Sequence, residues 1–415
     1  MSINSPRLRL LAMYRLLLKL SFKNAFARLS RTLLVIVMIA VSMSMMLSIE
    51  GLYDGMTNSM VDRVKRSDCG EVSMYSKNYR TSRALKDNIA NAQSIAQTLE
   101  KKKGVKSVVL RLQADGLGST ARKSAFSTII GINLVAEEKF GGFSEFLKKG
   151  SMDISKNGVL VGSELAKKLK LKVSDKLVFS TQNLQGEITG MALRVRGIIQ
   201  TNNVVLDRAA LYVDTKRLHK LLGLSAQSAT QIALRLEDEH LIELLKKRYA
   251  DLDVKSLLEL YPMIQQMQEL MKIFNAITFF IVMLVVFIGI MGVMYVSILE
   301  RIREFGIMRS IGMSYALLRR QIFAEALFVG LSGYVIGALI GYVVLYYLKV
   351  YGLDLSAFAE GLESFGYSSI LHASIELHYF SATFLAIVAA SLLSVVLPLR
   401  KIKHMSIVDA TKVVI

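Results

Sequence analysis

Apolar residues are segregated along this chain. Four stretches, 33–49, 274–298, 323–348 and 380–397, carry almost no charge, only Glu325 standing among them. A helix needs roughly 20 residues to cross a hydrocarbon core, so each is predicted to span a membrane. Between the first and second lies 53–272, polar and mixed, long enough to bury a core of its own. The pattern therefore predicts an α-helical membrane protein with four transmembrane helices and a soluble domain inserted between helices one and two.

Within the soluble region the period changes from helix to strand. Leu85, Ile89, Ala92, Ala96 and Leu99 fall on one face of a predicted helix that stops before Gly104, and Val108, Leu110 and Leu112 then alternate as a strand. Further on, Ser163 is placed to cap a short helix bearing Leu165, Ala166 and Leu169. Leu193 with Val195, and Ile232 with Leu234 and Leu236, read as half-buried strands. The expectation is a mixed α/β domain with no Gly/Pro/Ser-rich linker to divide it, which leaves room for two lobes but not for two independent domains.

Basic residues beside the spans set the orientation, because Lys and Arg are retained on the cytoplasmic side. Arg7, Arg9, Arg15, Lys19, Lys23, Arg28 and Arg31 precede the first span without an acidic residue. Arg301, Arg303, Arg309, Arg319 and Arg320 occupy the link between spans two and three, and Arg400, Lys401, Lys403 and Lys412 follow the fourth. The last connection instead carries Asp354, Glu360, Glu363 and Glu376 against Lys349. Both termini and the middle link are expected in the cytoplasm. In order, the predicted segments are a cytoplasmic lead-in 1–32, helix one 33–52, the external domain 53–272, helix two 273–298 and a cytoplasmic link 299–320. Helix three 321–348, an external loop 349–378, helix four 379–398 and a cytoplasmic tail 399–415 complete the chain. The region before span one is too long for a signal peptide and offers no small-residue cleavage site, so it reads as an uncleaved anchor.

The net charge of +19 is accounted for by these flanking residues and contact with anionic membrane lipid, and no nucleic-acid partner is expected. The sequence has no GxxxxGK[ST] loop, HExxH, CxxC or GxSxG, so neither an ATPase nor a familiar hydrolase is encoded and no catalytic residue is assigned. The one cysteine, Cys69, cannot form an internal disulfide and reads as packed. The histidines are scattered, His372 and His378 flanking a span, and no metal is assigned.

The link from Glu300 to Ser314, ERIREFGIMRSIGMS, is too charged to be membrane and too apolar to be a free loop. Ile302, Phe305, Ile307, Met308 and Ile311 can form one side of a short amphipathic helix, with Arg301, Arg303, Glu304 and Arg309 opposite. Gly306 and Gly312 permit a turn or close approach. Together with KNAFARLSRTLLVIV before span one and LPLRKIKHMSIVDATKV after span four, this link resembles the FtsX/MacB-like permeases of type VII ABC transporters. The resemblance covers nearly the whole chain.

That resemblance implies a MacB-like periplasmic core domain and a subunit that works beside a second permease, identical or paralogous, on a dimer of cytoplasmic ABC ATPases. ATP and magnesium would be bound by that partner, and this chain would hold no cofactor. Glu300, Arg301, Arg303, Glu304, Phe305, Gly306, Arg309 and Gly312 would form the coupling site in an ATPase groove. GVLVGSELAKKLKLKVSDKLVF and VRGIIQTNNVVLDRAALYVD, the latter with Asp207, are similar to lipoprotein-releasing permeases of the inner membrane. The branch can present a proline-bearing hook to a periplasmic carrier, but QNLQGEITGM has no proline, and a carrier would be sought first at 182–190.

Independently of family, Met263, Met267 and Met271 recur every four residues before span two, with Phe274 on the same side, and Met43, Met45, Met46 and Met56 enrich the outer end of span one. Flexible thioethers suit varied acyl chains, so a greasy cleft between these helices is one expectation and ordinary packing the other. Glu325 would pair with a cytoplasmic Arg or relay protons. Gly330, Gly333, Gly337 and Gly341 give helix three a small-residue face for packing. The expected function is extraction of a lipid-anchored substrate from the outer leaflet. MacB-like export, FtsX-like control of a cell-wall hydrolase, or a membrane-anchored receptor or scaffold are the alternatives.

Overall fold

The computed structural model describes residues 29–358 and 369–403, together with Lys19, 21–23, Gly361 and Tyr367. Most of the lead-in 1–32 and the tail beyond Lys403 lie outside the described residues. The chain divides into two compact units, 1–56 with 269–354 and 370–415, and 57–268 with 355–369.

Four helices are long and apolar enough to cross a membrane, Leu29–Cys69, Pro262–Glu300, Tyr315–Tyr351 and Leu377–Arg400, and the first unit holds most of each. Pro262 opens the second with its fixed φ and its missing N–H, a donor no helix start can satisfy anyway. The third begins where the Ser314 side chain accepts from the Leu317 N–H. All four contribute to one core, with Val35, Ile36, Ile39 and Met43 from the first meeting Val286 and Ile290, Ile322 and Ala326, and Ile387 from the others. The third helix also makes contacts through glycines. A Cβ at Gly337 would lie 2.7 Å from the Ala40 carbonyl oxygen, and at Gly333 2.7 Å from Ile39 Cβ, so its neighbour is the first helix. Gly330 instead faces Ser391 of the fourth.

The first and second long helices extend well past membrane-length segments. The first stays α-helical to Val64 and ends in a π-helical turn, Lys65–Cys69. Gly70 then turns the chain at φ +63, and a Cβ there would lie 2.0 Å from the Leu234 carbonyl oxygen, so this turn requires glycine.

The second unit is built on a ten-stranded sheet. Its strands are β1 Val72–Ser76, β2 Val105–Ser119, β3 Ser124–Ile132, β4 Leu147–Gly150, β5 Gly158–Gly162, β6 Lys176–Gln182, β7 Ile188–Ile199, β8 Ala210–Asp214, β9 Gln231–Leu236 and β10 Leu252–Ser256. The path runs β10-β1-β9-β2-β3-β8-β5-β7-β4, and β6 pairs with both β7 and β2. That second pairing closes β2, β3, β8, β5, β7 and β6 into a small barrel. β3 with β8 and β5 with β7 are parallel, the other pairs antiparallel.

Alternation decides what fills the barrel. Leu112 and Ala114, Val159 and Val161, Leu177 and Phe179, Leu193 and Val195, and Leu211 and Val213 all point inward, two apart on their strands. The helices Ser163–Leu169 and Thr215–Leu222 add Leu165, Leu169, Leu218 and Leu222. A second core lies under the open part of the sheet, where Ala92–Glu100 and Leu241–Arg248 cover β1, β9 and β10. β2 belongs to both lobes, since Val105–Arg111 pair with β9 and Leu112–Ser119 with β3.

Three local expectations are corrected. Leu85 to Leu99 is not one helix: Leu85–Asp87 is a single 3-10 turn and Ile89 exchanges backbone hydrogen bonds with Ala229, so helix begins only at Ala92. Ser163 is the first residue of its helix, with Gly162 in the capping position. β9 is buried on both faces, because Leu134–Gly141 packs Phe140 against Ala233 on the side away from Ile232 and Leu234.

Candidate functional site

The link between the second and third long helices folds as a short helix, Ile302–Ser310. Its inner side is anchored in the four-helix core: Phe305 is 2 % exposed and Ile302 8 %, with Met308 and Met313 packed alongside. Its outer side is mixed. Arg303 and Glu304 are exposed, and so are Ile307 and Ile311, the latter at 80 %. Ile307 and Ile311 therefore belong to the free face and not to the apolar side assigned from periodicity. Gly312 ends the element at φ +98 with nothing within 4 Å of its Cβ position. Gly306 is buried, and its carbonyl accepts from the Ser310 hydroxyl at 2.9 Å.

The charged residues of the link divide into two groups. Arg301 turns inward and donates through Nη1 to both oxygens of Glu325, at 3.2 and 3.0 Å, and through Nε to Glu304 at 3.1 Å. Its guanidinium also lies 5.1 Å from the centre of the Phe305 ring. Glu325 is 3 % exposed and accepts a further hydrogen bond from Gln321, one turn earlier, at 3.2 Å. A carboxylate in such surroundings is costly unless paired, and Arg301 supplies the pairing. Glu300, ending the second helix, meets Arg31 at the start of the first at 2.7 Å. Arg301, Glu300 and Glu325 thus tie the link to three long helices, while Arg303, Glu304, Ile307 and Ile311 face outward, with Arg309 half-buried. This arrangement is a knob, held by charge and packing on one side and offering cationic and aliphatic groups on the other.

The family of the MacB-like periplasmic core domain matches residues 32–252, more than half of the chain, and that of the FtsX-like permease C-terminal matches 276–407. The chain belongs to the FtsX/MacB-like permeases of ABC transporters. Residues 24% identical over 300 positions relate the permease to the lipoprotein-releasing system transmembrane protein LolE of Haemophilus influenzae, covering 68% of each chain. The ABC transporter permease YtrF of Bacillus subtilis is 40% identical over 63 residues, 15% of this chain and 14% of that one. The macrolide export protein MacB of Photorhabdus laumondii is 24% identical over 237 residues, 48% of this chain and 37% of its own length. The solved periplasmic region of MacB from Actinobacillus actinomycetemcomitans superposes with a TM-score of 0.32 at 19% identity, over 48% of this chain and 92% of that one.

The methionines of the permease are not alike. Met43 and Met46 are fully buried, Met43 against the glycine face of the third helix, 2.8 Å from where a Gly337 Cβ would stand. Met45 is 63 % exposed, Met263 71 % and Phe274 57 %, whereas Met56, Met267 and Met271 are partly covered. The described contacts bring Met43 into the helix core. Among the described residues no cluster of His, Cys, Asp and Glu could hold a metal.

Periodicity also missed a buried polar network in the external domain. Arg111 on β2 is 2 % exposed and donates to both oxygens of Glu137, at 2.6 and 2.7 Å, above the Phe140 ring. Burial acts to lower its pKa, but Glu137 and Asp68 more than offset this, and the net direction is upward. An arginine inside the apolar run VVLRL was the available signal. Asp207 accepts from the Thr201 N–H at 2.9 Å, the Thr201 hydroxyl at 2.8 Å and the Asn202 N–H at 3.0 Å. Burial nevertheless pushes its pKa up to about 6.

Proposed function

We propose that this permease sits on a dimer of cytoplasmic ABC ATPases, beside a second permease, and converts ATP hydrolysis into movement of its extracytoplasmic domain. The observation that carries this reading is the two-sided link, anchored by Phe305 and the Arg301–Glu325 pair and open at Arg303, Ile307 and Ile311. Exposed aliphatic residues beside a cation suit a groove with apolar walls and an acidic rim. The basic residues flanking the spans support a cytoplasmic position for the link and both termini.

The substrate proposed is a lipid-anchored protein drawn from the outer leaflet of the inner membrane. The alignment with LolE supports it, extending over two-thirds of both chains. MacB-like export of a peptide or small molecule is the second reading, supported by the MacB-like core domain over more than half the chain.

The detergent-solubilised permease is expected to copurify with an ATP-hydrolysing subunit identifiable by mass spectrometry. The double substitution Ile307→Asp/Ile311→Asp is expected to lose that subunit while leaving the melting temperature unchanged. Unaltered recovery would remove the docking assignment. Depletion in the host separates the two substrates: lipoproteins retained in the inner membrane support extraction, whereas normal lipoprotein fractionation with increased sensitivity to an exported compound supports the second reading.

A further inference from the structure

The external ends of the first and second long helices are tied to one carboxylate. Asp68 sits in the π-helical turn Lys65–Cys69 that finishes the first helix, and Tyr261 immediately precedes Pro262, where the second begins. Tyr261 donates its hydroxyl hydrogen to Asp68 Oδ2 and accepts from Asn203 Nδ2 at 2.9 Å. The other oxygen, Oδ1, accepts from Gln231 Nε2 of β9 at 3.3 Å and faces Arg111 Nη1 of β2 at 3.5 Å. Arg111 Nη1 also donates to the Asp68 backbone carbonyl.

The strengths of these contacts are unequal. Arg111 and Glu137, with side chains 2 % and 1 % exposed, form a short bidentate pair and act as a fixed post. Asp68 is 14 % exposed, and its 3.5 Å approach to Arg111 is at the limit of a hydrogen bond. Asp68 and Tyr261 also line a cavity of about 440 Å³, so the joint between them borders open space. Buried ionic groups contribute little net stability compared with apolar packing, and their best-attested use is to select one arrangement. The helix ends are therefore held to the post through the Asp68 main-chain carbonyl and joined to each other through the Tyr261–Asp68 hydrogen bond.

We propose that Asp68 is a positioning residue of the transport cycle, a latch that fixes the external ends of the first two long helices in one register against the Arg111–Glu137 post. The proposal rests on the reading that the permease transmits motion from a partner ATPase. Helix movement then reaches the sheet through Asp68 and Tyr261 and carries the domain as a body. Weakening the latch lets the helix ends move while the domain lags, so ATP is consumed without the full stroke.

Tyr261→Phe removes one hydroxyl and keeps the ring. The full-length permease with its ATPase partner, in nanodiscs, is spin-labelled at Lys103 and Met263 in a Cys69→Ala background, and the distance between labels is measured with and without ATP. The wild type is expected to give one narrow distance in both conditions, and Tyr261→Phe and Asp68→Asn a distribution about twofold broader, shifting with ATP, at unchanged ATP turnover. Equal widths in all three proteins would overturn the latch. So would a broadening accompanied by parallel loss of ATP turnover and melting temperature, which marks a purely structural role. The nucleotide-free widths do not depend on the ATPase, so failure of the permease to recruit one would refute the transport reading and leave the latch measured.

Discussion

Arg301 and Glu325 show how one residue pair can be mistaken for a surface feature. Both are charged and flank a link, yet their side chains are 15% and 4% exposed and pair at 3.0 Å. Removing one partner of a buried pair leaves an uncompensated charge and costs roughly 3–5 kcal/mol. Arg301→Ala is therefore expected to lower the melting temperature of the detergent-solubilised permease sharply, and Arg301→Ala/Glu325→Leu to recover most of it. A single mutant as stable as wild type would show that the pair does not hold the link. Asp207 offers a test by pH. Its folded pKa of about 6 lies above the ordinary 3.8, so the folded domain retains a proton that the unfolded chain releases. The stability this contributes is complete below 3.8, is lost as pH rises through about 6, and amounts to about 3 kcal/mol at most. Asp207→Asn is expected to flatten the melting temperature between those limits; an unchanged slope would contradict the assignment.

At the scale of elements, the glycines of the long helices divide into those that are contacts and those that are not. Gly337 and Gly341 lie against the first helix, where an added Cβ would stand 2.7 Å from the Ala40 oxygen or 2.8 Å from Leu47 Cδ1. Gly292 of the second helix has nothing within 4 Å. Gly337→Leu is expected to force those helices apart and abolish recovery of folded permease, and Gly292→Leu to be tolerated, as judged by monodisperse elution in detergent. The spans were legible because charge exclusion over a membrane-length stretch is a strong signal. Helix ends were not: nothing in apolar periodicity says that the first helix runs on through polar residues to Val64. Ile307 and Ile311 were misassigned for a related reason, since periodicity gives the face but not which face the core covers. Arg111 was overlooked because its partner Glu137 is distant in sequence, and a buried charge becomes intelligible only with its partner.

For the whole molecule, the order of elements in the external domain was readable and its closure was not. The strands around Leu193 and Ile232 alternate plainly, but no local pattern announces that β6 pairs with both β7 and β2. β2 is long enough to take part in two lobes, and this keeps 57–268 within one unit although each lobe has a core of its own.

Barrel closure has a consequence for life at a crowded membrane surface. An open sheet of this size would offer long rows of unpaired amides to neighbouring copies, an invitation to aggregate. Here the path ends only in β10 and β4, of five and four residues, each carrying lysine, at Lys255 and at Lys148 and Lys149. Short, charged rims resist strand addition. Copies of the permease can thus be packed side by side in a bilayer without their external domains fusing into a common sheet.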